Sequence, residues 1–300
     1  MSLFKGPMRQ HIPGHKELSD HVDIMEVKAG SKVYIPLICG PSVNLEILVK
    51  EGDHVSIGTK VAQCNERNVV PIFASVSGTV AGTQKLMHSS LKPVEHLVIE
   101  NDGLYERIRS FEPLDYQHAD RTALIDFMMN AGIIGLGGAG FPAYIKYKFA
   151  KDVKKLIINA VECEPFITAD YKMIQAHREE FVTGVAAMKK MAMAPEAVIA
   201  IKKTHPDLIQ FVEEAIKGME GFSVAAVPDV YPMGWERVLV REIMHAEYEK
   251  LPGEVGAIVN NATTAIAFGE ALLTGTPIVS KTLTVSGNAV KNPVDRKSVV

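Results

Sequence analysis

The chain has 300 residues, 47% of them hydrophobic and 22% charged, with a formal net charge of −3. That length exceeds one small core and predicts about two domains of ordinary globular make-up. The weakly acidic balance and the single Trp exclude a nucleic-acid binder that works by phosphate neutralisation or by an aromatic stacking platform.

The three cysteines, Cys39, Cys64 and Cys163, are far apart and form no CxxC. A sparse, odd set fits a reducing compartment and cannot supply the four thiolates of a cluster within this chain, so no metal site is expected here. No run of about 20 apolar residues occurs, as a membrane-spanning helix would need. Residues 1–15 lack the apolar core of a signal peptide.

Residues 1–30 read as an irregular arm. Lys5, Pro7, His11, Pro13, Gly14 and His15 have no periodicity, and the two histidines lack a third metal ligand at suitable spacing. From residue 31 to 105 the texture is all β. Short apolar runs at 33–37, 44–49, 58–62 and 70–80 are separated by Gly and Asp turns, which predicts a small sandwich or barrel.

Residues 112–133 carry a helical stripe of Ala123, Leu124, Phe127, Met128 and Ala131. It leads into Gly135-Leu136-Gly137-Gly138-Ala139-Gly140-Phe141-Pro142. Gly135, Gly137, Gly138 and Gly140 let backbone approach a ligand where side chains would clash. A flexible connector is the alternative, but connectors mix Gly with Ser, whereas this run mixes it with Leu, Ala and Phe.

Beyond the loop, a helix is predicted over 143–155, carrying Lys146 and Phe149. Strands follow at 156–161, 197–201, 224–227 and 257–259. Helices are predicted at 170–191, 207–217, 234–246 and 262–273. Repeated βα units imply a mostly parallel sheet with helices on both faces. Ligands on such sheets sit beyond the carboxyl ends of strands. Here those ends lead into 159–169, 228–236 and 260–264, all polar or acidic. From residue 276 the texture returns to β, notably over 281–290, and it stops at 300 as though the chain were a fragment.

Several alternatives stay open on the residues alone. Glu162 and Glu164 at a strand end are either functional or solvated surface. Asn260 and Asn261 either meet a ligand or cap the next helix. Lys146 is either a site residue or an ordinary helix lysine.

Residues 49–62 and 74–80 resemble the barrel-sandwich hybrid of biotinyl and lipoyl carriers. The hairpin of Gln63, Cys64, Asn65, Glu66, Arg67 and Asn68 lacks the modifiable lysine, so a structural or docking role is expected in place of a swinging arm. Four ordered segments then resemble the RnfC family, a component of Rnf-type ion-translocating ferredoxin:NAD oxidoreductases. They are the glycine loop; Asn159-Ala160-Val161-Glu162-Cys163-Glu164-Pro165; Tyr231-Pro232-Met233-Gly234-Trp235-Glu236; and Asn260-Asn261-Ala262-Thr263-Thr264. More distantly they resemble the FMN- and NADH-binding subunit of respiratory NADH:quinone oxidoreductase.

The resemblance implies an α/β fold: a barrel-sandwich hybrid at 31–105, a Rossmann-like flavin- and nucleotide-binding domain at 106–275, and the start of a β-grasp segment at 276–300. It implies FMN against the glycine loop, with NAD(H) stacked on the flavin. Phe141 and Phe149 would be aromatic walls, and Lys146 would lie near a phosphate or ribose. Asn159, Glu162 and Glu164 would border flavin and nicotinamide, the two glutamates in the catalytic role. Gly234 and Glu236 would lie by the nucleotide or the ribityl chain. Asn260, Asn261 and Thr264 would meet the FMN phosphate and ribityl chain at a helix N-terminus.

The family also implies [4Fe-4S] clusters outside this chain and partner subunits of an electron-transfer complex, with a ferredoxin or reductase as redox partner. The location implied is cytoplasmic, peripheral at the inner face of the cell membrane. An association with anaerobic amino-acid reductases, such as proline reductase, is the neighbouring possibility, with this chain as a scaffold lacking its own NADH site. The chain departs from the respiratory pattern at Leu136 (arginine there), Val161 (aspartate there) and Thr263 (acidic there). It departs from the Rnf-like pattern at Trp235, where a small residue is expected.

Overall fold

The computed structural model describes residues 11–39, 44–64, 66, 69–88, 90–138 and 140–299. Lys5, Pro7, Asn65, Arg67, Asn68 and Ala139 of the readings above lie outside them. The arm contributes a short strand, β1 (Met25–Glu26). The β region supplies β2 (Lys32–Pro36), β3 (Glu46–Ile47), β4 (His54–Val55), β5 (Lys60–Gln63), β6 (Ile72–Phe73), β7 (Gly78–Met87) and β8 (Pro93–Asn101). Two antiparallel sheets, ordered β2-β8-β7-β4 and β3-β5-β6, form the barrel-sandwich hybrid. Ile35, Val55, Val61, Val76, Leu97 and Ile99 fill its interior. Gly78 is demanded by a close approach, since a Cβ there would sit 1.9 Å from the Glu100 carbonyl oxygen.

The second body begins with α1 (Arg121–Asn130), whose N-cap Asp120 accepts the Ala123 N–H. It continues with α2 (Tyr144–Lys148), β9 (Lys155–Ala160), α3 (Ala169–Ala176), α4 (Arg178–Ala192), β10 (Glu196–Lys202), α5 (Pro206–Ala215), β11 (Phe222–Val227), α6 (Glu236–Met244), β12 (Ala257–Asn261) and α7 (Ala262–Thr274). The four strands are parallel, in the order β11-β10-β9-β12. The period-two alternation of β9 places Leu156, Ile158 and Ala160 in a core with α1, α4, α5 and α7, while Ile157 and Val161 face α6. α4 and α7 meet backbone to backbone. A Cβ on Gly184 would lie 1.8 Å from the Ala265 carbonyl oxygen, and one on Gly269 1.8 Å from that of Glu180.

Three helix expectations are corrected. The helix expected over 143–155 is only Tyr144–Lys148, because Asp152 adopts φ 50° and the Lys154 and Lys155 N–H groups turn to the Gly256 carbonyl. The single helix expected over 170–191 is two, broken at His177 (φ −127°, ψ 53°). Both halves touch α7, α4 backbone to backbone and α3 through Asp170 and Thr263, and α3 in addition pairs Lys172 with Asp295, 3.5 Å away. The helix expected from Gly234 starts only at Glu236, with Trp235 as its N-cap.

At the end of the chain, β13 (Ser280–Val285) stops well short of the expected Val290 and pairs antiparallel with β14 (Val294–Val299). β1 joins β14 in parallel. The arm is therefore not wholly irregular, since part of it completes the C-terminal sheet. His11 and His15 have separate partners: His15 stacks on Phe166 and His11 lies 3.4 Å from Asp229.

Candidate functional site

β9 leads to β10 on one side, and β12 pairs with its other edge. The carboxyl ends of β9 and β12 therefore form the point where the sheet order reverses, the place where parallel α/β sheets open a crevice. Asn159 and Asn261 are register partners there. Three cavities adjoin along this edge, of about 490, 350 and 500 Å³. The first and second share Gly137, Gly138, Asn159, Gly234, Trp235 and Asn261. The second and third share Phe141, Lys146, Glu236 and Val259. Together they make one cleft.

The glycine loop is a hairpin. Ile134 bridges Pro142, and the Gly135 N–H donates to the Phe141 carbonyl at 2.8 Å. Thr264 Oγ1 accepts the Leu136 N–H (2.9 Å) and Lys281 Nζ donates to the Leu136 carbonyl (2.8 Å). The loop is thus pinned on α7 from one side and on β13 from the other. Gly137 allows that approach, because a Cβ would lie 2.8 Å from Cβ of Asn261. Gly138 has another reason to be glycine. Among the described residues nothing lies within 4 Å of a Cβ built there, and the residue lines two of the cavities, so the space it leaves open belongs to the cleft. Gly140 takes φ 62° to turn the loop back and lines none of these cavities.

Gly135, Gly137, Gly138, Phe141, Lys146 and Asn159 line the 350 Å³ cavity. So do Gly234, Glu236, Asn260, Asn261 and Thr264. Glu162 and Glu164 line the 490 Å³ cavity, and Phe149 the 500 Å³ cavity.

Several of these side chains already have protein partners. Asn261 Oδ1 caps α7, accepting the N–H groups of Thr263 (3.0 Å) and Thr264 (3.4 Å), and its Nδ2 donates to Asp170 Oδ2 at 2.5 Å. Asn260 is buried and donates to the Tyr147 hydroxyl. Asn159 donates to the Gly234 carbonyl (2.8 Å) and so braces the 228–236 loop. Lys146 Nζ donates to the Val259 carbonyl (2.6 Å) and lies 3.7 Å from Glu236; burial lowers its pKa, and Glu236 opposes the shift.

Glu162 follows β9 with φ 44°, left-handed for a side-chain-bearing residue, and Phe166 in the same loop takes φ 68°. Such backbone persists only when the surroundings impose it. Here the arm imposes it. The Phe166 N–H donates to the Gly14 carbonyl at 2.6 Å. Lys16 Nζ donates to the carbonyls of Ile167 and Glu164 and lies 3.9 Å from Glu162 Oε2.

Glu162 Oε1 accepts the Asp170 N–H at 2.8 Å. Burial first, and the neighbouring Asp170 carboxylate second, push the Glu162 carboxyl up to about 8, while Lys16 pulls it down. Asp170 is raised as well, again chiefly by burial, against hydrogen bonds from Thr263 and Asn261. Glu164 is exposed and accepts from the Tyr231 hydroxyl at 3.1 Å. The cleft can therefore present a flat glycine wall, a helix N-terminus, a carboxyl protonated near neutral pH, and a mouth lined by Phe141, Phe149 and Trp235.

Lys16, Asp170 and Lys281 were not singled out from the sequence as site residues. Asp170 marked only a helix start, and no local pattern places Lys16 or Lys281 at this edge.

Comparison with known proteins agrees with this layout. The family model described as the RnfC barrel sandwich hybrid domain matches residues 4–104, and that of the Nuo51 FMN-binding domain matches residues 128–269. The RnfC-type component of the Na(+)-translocating ferredoxin:NAD(+) oxidoreductase complex of Acetobacterium woodii is 33% identical over 295 residues, covering 97% of this chain and 66% of that protein. Its counterpart in the proton-translocating ferredoxin:NAD(+) oxidoreductase complex of Clostridium ljungdahlii is 31% identical, covering 98% and 65%. The counterpart in the ion-translocating oxidoreductase complex of Edwardsiella ictaluri is 31% identical, covering 94% and 36%. The chain thus spans between about a third and two thirds of these relatives' length. In fold, it is similar to an NAD+-reducing [NiFe]-hydrogenase chain in the H2-reduced state (TM-score 0.54, 22% identity, 61% of this chain and 38% of that one). With both family models matched in order and curated RnfC proteins aligned over nearly all its residues, the chain belongs to the RnfC family.

Proposed function

We propose that this chain is the FMN- and NAD(H)-binding electron-transfer part of an Rnf-type ferredoxin:NAD oxidoreductase, or of a related reductase. The observation that carries the reading is the cleft at the β9–β12 switch point, whose 350 Å³ part is lined wholly by the segment that matches an FMN-binding domain. The open space beside Gly138 and the helix N-terminus under Thr264 fit a flat ring that carries a phosphate. Bound FMN would supply the conversion between a two-electron hydride donor and one-electron acceptors.

The residues then have distinct tasks. Gly135, Gly137 and Gly138 give the ring a wall without side chains. Thr264 and the first turn of α7 favour the phosphate through the helix dipole; the N–H groups of Thr263 and Thr264 are already shared with Asn261. Asn159 and Asn260 act by bracing the strand ends. Glu162 holds a proton beside the ring, and Glu164 offers an acceptor at the mouth. Phe141 and Phe149 cover the far end of a dinucleotide, with Lys146 and Glu236 facing its ribose or phosphate.

In this reading residues 31–105 dock partner subunits, residues 106–275 bind the nucleotides, and residues 276–300 close one side of the cleft. The [4Fe-4S] centres that take the electrons are held outside this chain. Among the described residues no helix is long and apolar enough to cross a membrane, so attachment at the cytoplasmic face of the membrane would come through partner subunits.

The test is reconstitution with FMN, desalting, and anaerobic addition of NADH. Retained flavin absorbance that NADH bleaches is the expected result. Retention without bleaching moves the donor to a reductase partner. No retention would sink the flavin reading and leave a scaffold for an amino-acid reductase complex.

A further inference from the structure

Trp235 stands out in the cleft. It is the only Trp of the chain, and it is 50% exposed. Its backbone is fixed on both sides: its N–H donates to the Pro232 carbonyl at 3.0 Å, and its carbonyl accepts the Leu239 N–H at 2.8 Å as the N-cap of α6. The indole lines both the 490 and the 350 Å³ cavities. The other residues common to the two are Gly137, Gly138, Gly234, Asn159 and Asn261, none of which has a ring.

The ring is also held in orientation. Tyr231 meets it edge to face, with centroids 6.0 Å apart, and the Tyr231 hydroxyl is anchored on Glu164. An indole kept half-exposed and oriented, where two cavities join beside glycine backbone, has the geometry of a stacking partner.

We infer that Trp235 is a ring-stacking contact of the cleft, packing its indole face on a planar heteroaromatic ring bound there. This rests on the proposed flavin and nicotinamide reading and goes beyond it by giving a stacking role to a residue to which that reading assigns none. Isoalloxazine and nicotinamide share the required chemistry, so the experiment separates them.

The chain's intrinsic tryptophan emission comes from Trp235 alone. NAD+, which does not absorb that emission, is titrated into the protein with and without FMN, and quenching of the indole by acrylamide is followed. In parallel, FMN affinity and the visible flavin spectrum are measured for the wild type, Trp235→Phe and Trp235→Leu, with thermal melts to confirm equal folding. If the flavin is the partner, Trp235→Leu weakens FMN by roughly two- to tenfold and shifts the visible bands, and Trp235→Phe recovers most of the affinity. If nicotinamide is the partner, NAD+ shields the indole from acrylamide and the loss falls on NAD+ affinity instead.

Retained FMN with unchanged affinity in both variants, together with an indole that neither ligand shields, overturns the inference and leaves the flavin reading standing. Wild-type protein that retains neither ligand overturns both.

Discussion

Along one wall of the cleft the chain presents glycine backbone, hydroxyls and amides. Along the other, Glu162 and Asp170 line the cleft, and behind them Lys16, Lys172 and Asp295 complete one largely buried polar cluster. The first wall comes from short local runs, the glycine loop and the ends of β9 and β12. The second is assembled from the arm, from the loop after β9 with the adjoining α3, and from β14, three stretches each more than a hundred residues from the next. Buried charges cost much more than they return unless each finds partners. Here Asp295 accepts from Thr168 Oγ1 at 2.7 Å and from Thr284 Oγ1, and Lys172 donates to the Ser19 carbonyl at 2.6 Å. The neutral wall is therefore shaped to leave space, whereas the charged wall is shaped to hold the ends of the chain in place.

The most damaging way to test that contrast is Asp295→Ala. It leaves Lys172 buried without its carboxylate and should cost about 3–5 kcal/mol, read from denaturant midpoints. A loss under about 1 kcal/mol would mean that the charged wall is not what fastens the arm and the last hairpin.

The second test uses pH. Below its ordinary value of 4.5, Glu162 is protonated in both the folded and unfolded chain; between there and about 8 only the folded chain keeps the proton. The unfolded state binds fewer protons in that window, so stability falls as pH rises through it. Glu162→Gln should flatten the decline of Tm between pH 5 and 8. Lys16→Met should extend it to higher pH, because the cation that lowers the Glu162 pKa is gone. A wild-type Tm that climbs over this range would refute the buried, protonated carboxyl.

On the neutral wall two adjacent glycines should behave differently. Gly137→Ala forces a Cβ against Asn261 and should cost about 1–3 kcal/mol by overpacking. Gly138→Ala meets no described atom, so the melting temperature should hold while FMN affinity drops. Equal melting points and equal affinities for both variants would show that the loop does not face the ligand.

These contrasts also explain what could be read from the sequence. The neutral wall was legible because its residues are contiguous: a glycine run, and polar tails on apolar strand runs, reveal themselves locally. The parallel sheet was legible through the apolar runs 156–158, 197–201 and 257–259 at the centres of β9, β10 and β12. The charged wall was not legible. Lys16 lies in a stretch without periodicity, and its neighbours Glu162 and Ile167 are about 150 residues away. The break at His177 was hidden as well, since α3 and α4 form one continuous helical pattern and the partner of Lys172 in α3, Asp295, lies more than a hundred residues away.

Asn261 belongs to both walls, which makes it the finest probe of the comparison. Its Oδ1 caps α7 on the neutral side, and its Nδ2 donates to Asp170 on the charged side. Asn261→Ala removes the cap and should cost about 1 kcal/mol at any pH. Asn261→Asp keeps an acceptor for the Thr263 and Thr264 N–H groups but sets a second carboxyl against Asp170, whose own pKa burial already raises. At pH 5 the pair can share a proton, and the variant should melt close to the wild type. At pH 8 the two carboxylates repel, and it should melt below even Asn261→Ala. If the Asp variant instead follows the Ala variant at both pH values, the hydrogen bond to Asp170 does not couple the walls, and the cap is the only task Asn261 performs.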